Sequence, residues 1–204
     1  MKKTKKFIYL ISPDKILSNK FFTILEKLFK TNKISYFQLR LKKEKKQKII
    51  SIAKKVKKLT KKYDVKFIIN DDPNLAKKIN SDGCHIGQKD FDIKKARKIL
   101  KNKILGVTCH NSIRLTRDAI NNGANYIALG SFFSTKTKKV KFRANFNTLR
   151  KVNKFFKVPI VAIGGINYSN YRKVLLNKAN FLAISSYIWK NKILSPKAAL
   201  RKLK

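Results

Sequence analysis

Acidic residues are scarce in this chain. Ten Asp and Glu stand against 51 Lys and Arg in 204 residues, a formal net charge of +41. With so few acids, the place of each is informative. The two cysteines, Cys84 and Cys109, form no CxxC pair, which argues against a disulfide scaffold. They read as small buried side chains in a reducing compartment. The only two histidines, His85 and His110, lack a zinc-ligand pattern around them and read as satisfied structural side chains. No run rich in Pro, Gly or Ser divides the chain, so one domain over residues 1–204 is expected. No segment approaches the ~20 apolar residues of a membrane-spanning helix. The apolar run near the N-terminus is too short for a signal-peptide core, and Pro13-Asp14 follow it. A cytoplasmic protein with no membrane partner is expected.

The charge itself has two readings. An excess of this size can mark a partner with many phosphates, nucleic acid or an anionic membrane. It can also be compositional, because Lys, Ile, Asn and Phe, all abundant here, share AT-rich codons. The second reading fits the pattern better. Over 44–63, Ile49, Ile52, Ala53, Val56, Leu59 and Tyr63 recur at three/four spacing, with lysines filling the outer face of the helix. No basic run is interleaved with base-stacking aromatics. Apolar residues make up 43% of the chain, enough for a real core and too many for a disordered polybasic tail.

Short apolar runs alternate with amphipathic ones. Strands are expected at 7–12, 34–41, 65–70, 83–88, 104–109, 125–133, 158–165 and 180–188. Helices are expected near 19–31, 45–62, 74–80, 93–101, 112–122, 146–156, 169–178 and 196–203. Asp92 and Ser112 sit where helix N-caps belong. Eight strand–helix units point to an α/β fold with a parallel sheet, and to a single-domain TIM (β/α)8 barrel in a chain of this length. A doubly wound open sheet is the alternative, but no GxGxxG follows the first strand, against a dinucleotide-binding version. The stretch 134–145, after strand six, is long for a connection and reads as a functional loop.

In a TIM barrel the chemistry gathers at the C-terminal ends of the strands. Gln38, Arg40 and Lys42 alternate with Leu39 and Leu41, so the three polar side chains share one strand face. That face is costly unless it meets an anion. Strand three ends in Asn70-Asp71-Asp72, strand four leads to Asp90, strand five ends in Thr108, and strand six leads into Thr135, Thr137 and Lys138. Two carboxylates plus phosphate oxygens suit Mg2+. Arg40 can fork onto phosphate, with Lys42 and Lys138 as point charges. Gly164-Gly165 would let backbone N–H groups approach a second phosphate. Each piece also has a plainer reading: Asp71-Asp72 capping helix three, Asp90 capping helix four, the glycine pair a tight turn.

The segments FQLRLK, INDD, DGCHIGQKD, GVTCHNS, GANYIALGSFFSTKTK, VPIVAIGGI and FLAISS, in this order over residues 7–190, resemble the thiamine phosphate synthase family. The resemblance implies a TIM barrel that joins hydroxymethylpyrimidine diphosphate to a thiazole phosphate, or its carboxylate, with Mg2+ as cofactor and these small phosphorylated molecules as partners. It implies that Gln38, Leu39, Arg40, Leu41 and Lys42 hold the pyrimidine diphosphate, that Asn70 and Lys138 contact it, and that Thr108 lies near the departing group. Arg40, Lys138 and Thr108 would be catalytic, and Asp71 and Asp90 the metal ligands. Thr135, Lys136, Thr137, Gly165, Ile184 and Ser185 would bind the thiazole phosphate. Thr108 stands where the family often has Ser, and Ser131 and Ser134 where Pro is common, which implies a less rigid loop. A related branch, the TenI-type aminotautomerases, shares the fold and would use His110 as acid/base.

Overall fold

The structure, a computed structural model, describes residues 6–135 and 142–204. Eight strands alternate with helices: β1 (Ile8–Ile11), α1 (Lys20–Phe29), β2 (Ile34–Leu39), α2 (Lys46–Lys62), β3 (Lys66–Asn70), α3 (Pro73–Ile79), β4 (Gly83–Ile86), α4 (Ile93–Leu100), β5 (Ile104–His110), α5 (Ile113–Asn121), β6 (Tyr126–Gly130), α6 (Phe146–Phe155), β7 (Ile160–Ile163), α7 (Tyr171–Leu176), β8 (Phe181–Ile184), α8 (Ser186–Trp189) and α9 (Pro196–Lys202). Every strand pairs in parallel with its neighbours in chain order, and β8 closes onto β1. The barrel expectation holds, and the open sheet is excluded.

Period two divides each strand between two cores. Outward residues such as Ile8, Leu10, Phe37, Leu39, Phe67 and Ile69 pack under the helices. Inward residues fill the barrel, with Tyr9, Ile11, Ile68, Tyr126, Ala128, Val161 and Ala183 as its buried members and Tyr36 and Phe181 beside them. The lower barrel is thus an aromatic plug: the Tyr9 and Tyr36 rings stack at 5.3 Å, and Phe181 meets Tyr36 edge-on at 5.0 Å. The same inward parity, continued toward the strand ends, carries Gln38, Asn70, His85 and Thr108 into the open end above the plug.

Helix ends follow the expected chemistry. Asp92 accepts from Lys95 N–H and Ser112 from Leu115 N–H, as N-caps do. Several expected strands run past their observed ends: β4 stops at Ile86 rather than 88, β6 at Gly130 rather than 133 and β7 at Ile163 rather than 165. The strand expected over 180–188 stops at Ile184, and its apolar tail is the short helix α8. β2 stops at Leu39, so Arg40 is not within a strand but just past its end.

All ten acids are engaged. Asp14, Asp64, Asp71, Asp90, Glu26 and Glu44 pair with lysine or arginine. Asp72 and Asp92 cap helices. Asp82 accepts from Phe67 N–H, and Asp118 from the Asn122 amide.

Candidate active site

The open end of the barrel collects polar groups from several strand ends. At β2, the Gln38 side chain is buried and donates to Asn70 Oδ1 at 2.7 Å, a bond between inward positions of adjacent strands. The Leu39 and Leu41 side chains lie in the outer apolar layer, so only their backbone can face a ligand. Arg40 is placed from two sides. Its N–H donates to Ser12 Oγ at 2.9 Å, and its Nη1 donates to Asp14 Oδ1 at 3.2 Å. The other Asp14 oxygen accepts from Lys190 Nζ at 3.2 Å. Ser12 and Asp14 belong to no motif in the sequence. The strand-end rule, extended to the end of β1, reaches both.

The acid pair is the centre of the negative charge. Asp71 takes a left-handed φ of 63° and its N–H donates to His85 O at 2.8 Å. Asp is one of the few residue types that tolerates that region. Lys42 Nζ lies 2.7 Å from Asp71 Oδ2 and 3.5 Å from Asp90 Oδ1. The capping alternatives now separate. Asp72 caps α3 through Leu75 N–H, which leaves Asp71 for the site. Asp92 caps α4, while Asp90 accepts from Gly87 N–H at 3.1 Å and faces Lys42. Burial pushes the Asp71 carboxyl upward, against the pull of Lys42. Burial also acts on Asp90, but Lys42, a hydrogen bond with Asp71 and the Gly87 N–H outweigh it and hold Asp90 low. The two carboxylates converge on one ammonium, and that ammonium marks where a cation fits. The all-oxygen donor set matches a hard divalent ion that takes its remaining ligands from substrate and water.

His85 and Thr108 join the site from below. His85 Nε2 is 2.9 Å from Thr108 Oγ1, and His85 Nδ1 is 2.9 Å from the Tyr126 hydroxyl, itself 2.7 Å from that of Tyr9. The expectation of a satisfied histidine holds. Part of His85 reaches the cleft surface, yet the ring lies deep enough that burial pushes its pKa down to about 4 from 6.5. The folded protein therefore binds fewer protons than the unfolded chain below pH 6.5. Its stability should be full above that pH and fall as pH drops toward 4, by on the order of 3 kcal/mol from this group. Chemical denaturation between pH 7 and 4.5 checks this: His85→Gln should show a shallower pH slope than the wild type, and equal slopes would contradict it.

On the far side, β6 leads into 131–135, which is stitched to β7 by Phe132 N–H to Ile163 O and Phe133 N–H to Gly164 O, both 3.1 Å. Gly165 has φ 64°, and a Cβ there would meet Ser134 O at 2.3 Å. The glycine pair is thus a tight turn that also permits close approach of the β6 loop. Ser185 Oγ donates to Ser12 O at 3.2 Å, joining β8 to β1, and Ile184 is buried beside Leu10. His110 ends β5 at φ 54°, its ring 4.6 Å from that of Phe142. Thr135 is described at the loop's edge. Lys136, Thr137 and Lys138 lie outside the described residues. Among the described residues, no group of three His, Cys, Asp or Glu forms a self-sufficient metal cage.

The thiamine monophosphate synthase family profile matches residues 8–188. The thiamine-phosphate synthase of Pelagibacter ubique is 62% identical over 200 residues, 98% of this chain and 97% of that protein. That of Clostridioides difficile is 37% identical over 188 residues, 90% and 87% of the two chains. Among solved structures, a thiamine phosphate pyrophosphorylase from Pyrococcus furiosus aligns over 98% of this chain and 95% of its own, with a TM-score of 0.86 and 27% identity. On fold, motifs and these likenesses, the chain belongs to the thiamine monophosphate synthase family.

Proposed function

We propose that the enzyme couples hydroxymethylpyrimidine diphosphate to a thiazole phosphate, or to its carboxylate with loss of the carboxyl group as CO2, releasing thiamine phosphate and pyrophosphate. The observation that carries this reading is the pair Asp71 and Asp90 converging on Lys42, with the Arg40 guanidinium also at the strand-two end. Such a mouth suits a diphosphate that brings a divalent cation. Asp71 and Asp90 would hold Mg2+, which, when bound, neutralises charge building on the leaving phosphates.

The residues of the chain then have distinct tasks. Gln38, Asn70 and the backbone of 38–42 orient the pyrimidine diphosphate. Arg40 and Lys42 bind its phosphates, Lys42 turning from the carboxylates to the substrate, with Lys138 as a further cation. Breaking the CH2–O bond leaves the electron pair on pyrophosphate and the positive charge on the pyrimidine methylene. The thiazole nitrogen then supplies its lone pair to form the C–N bond. Thr108 donates toward the departing group. Thr135, Lys136, Thr137, Gly165, Ile184 and Ser185 seat the thiazole phosphate so that its nitrogen faces the methylene. No protein nucleophile is required, and the rate gain comes from positioning and electrostatic stabilisation. A tautomerase acting through His110 gives no task to Arg40, Asp71 and Asp90. A cytoplasmic setting agrees with two free buried cysteines and with the lack, among the described residues, of any helix long and apolar enough to cross a membrane.

The test is incubation with both phosphorylated precursors, with Mg2+ or with EDTA. Equal yields of thiamine phosphate and pyrophosphate, abolished by EDTA, are expected. Absence of both products in Mg2+ sinks the proposal, and conversion of the thiazole carboxylate tautomer without the pyrimidine diphosphate would move it to the tautomerase branch.

A further inference from the structure

Four hydroxyl and imidazole groups run in single file from the floor of the barrel to its mouth: Tyr9, Tyr126, His85 and Thr108, at 2.7, 2.9 and 2.9 Å. Counting their protons gives the line a direction. Tyr9 is 1% exposed, and among the described residues its hydroxyl has one hydrogen-bond partner, Tyr126. If Tyr126 donated to Tyr9, the Tyr9 proton would be buried with no acceptor, at the full desolvation penalty of an unmet donor. If Tyr9 donates to Tyr126, then Tyr126 must give its single proton to His85 Nδ1. An imidazole that accepts at Nδ1 carries its proton on Nε2, and that proton goes to Thr108 Oγ1. A doubly protonated ring fails the same count, because it would force the Tyr126 proton back onto Tyr9. Thr108 is left as the end of the line, partly exposed on the inward face, with its own O–H unspent.

We infer that Tyr126 and His85 are positioning residues: a one-way hydrogen-bond relay holds His85 in its Nε2–H form and presents the Thr108 hydroxyl as a donor to an anionic oxygen in the mouth. The chain makes room for this. A Cβ on Gly106 would lie 2.0 Å from Tyr126 Cζ and 2.2 Å from its hydroxyl oxygen, so the Tyr126 head sits where only a glycine neighbour allows it. The catalytic use of the Thr108 proton rests on the function proposed above. The direction of the relay does not.

The experiment has one arm free of substrate. With 15N-histidine the protein shows only two imidazoles, His85 and His110, and Tyr126→Phe identifies the first. A protonated Nε2 and an accepting, unprotonated Nδ1 on His85 are expected, and a protonated Nδ1 overturns the relay. The second arm is kinetic. Tyr126→Phe should lower kcat by roughly 10- to 100-fold with the KM for the diphosphate little changed, the pattern of an interaction felt in the transition state. Tyr9→Phe removes an equally buried hydroxyl of the same pair but leaves Tyr126 free to donate to His85. Its kcat loss should be at least about fivefold smaller than that of Tyr126→Phe at a similar loss of Tm. Equal kcat losses would mean a merely structural role. Thr108→Ser should keep most of kcat and Thr108→Ala should not. Full activity in Thr108→Ala would refute the catalytic use. If the wild type couples nothing at all, the proposed function fails, while the tautomer measurement still decides the relay.

Discussion

Asp71→Asn will lower kcat/KM by roughly a thousandfold while leaving the fold intact, because it removes charge from the point where, in the proposed reaction, cation and diphosphate would meet. The change is nearly isosteric. Asn tolerates the left-handed backbone that Asp71 adopts at φ 63° as well as Asp does, so no new strain arises. The adjacent helix cap belongs to Asp72 and is untouched. What disappears is one of two carboxylates around Lys42, and the remaining one would face a divalent ion alone. Mn2+ titration in the presence of pyrophosphate, followed by electron paramagnetic resonance, should show weaker metal binding alongside the lost activity. An unchanged Tm with activity within tenfold of wild type would refute the assignment of Asp71.

Arg40→Ala stands next, with an expected loss of roughly a hundred- to a thousandfold in kcat/KM. The guanidinium is held in a fork-ready position by Ser12 on its backbone and Asp14 on its side chain. Arg40→Lys should recover only a small part of the loss, since an ammonium cannot bind phosphate bidentately. Stability should change by less than about 1 kcal/mol, because the Arg40–Asp14 pair is partly solvated and Asp14 keeps Lys190. Steady-state kinetics on both variants decides the matter. Turnover of Arg40→Ala within fivefold of wild type would remove Arg40 from the proposed machinery.

The barrel was legible because parallel strands buried on both faces read as short apolar runs, and amphipathic lysine-faced helices separate them. The same signal failed where it had no contrast. Residues 180–188 are apolar throughout, and periodicity alone could not divide β8 from α8. The alternation of Gln38, Arg40 and Lys42 outlasts the ladder of β2, so it placed Arg40 one step too deep. Asp90 and Asp92 are equally plausible caps on paper, and only the backbone N–H each carboxylate accepts from, Gly87 for Asp90 and Lys95 for Asp92, distinguishes them. The tyrosine–histidine line was invisible for a stronger reason. Tyr9 and Tyr126 are 117 positions apart, and they meet only because closure sets the register of every strand across the barrel.

The full engagement of the ten acids makes the chain lopsided in its tolerance of change. A surface lysine can be exchanged with little consequence, since most of the 51 cations have no carboxylate to pair with. Losing an acid removes a cap, a tie to the backbone or neighbouring amide, an ion pair or part of the candidate site, although an exposed ion pair alone contributes little. The cost of losing an acid is graded with its surroundings: small for the solvent-exposed pair of Asp64 with Lys6, larger for the helix cap of Asp72 and for Asp71 beside Lys42.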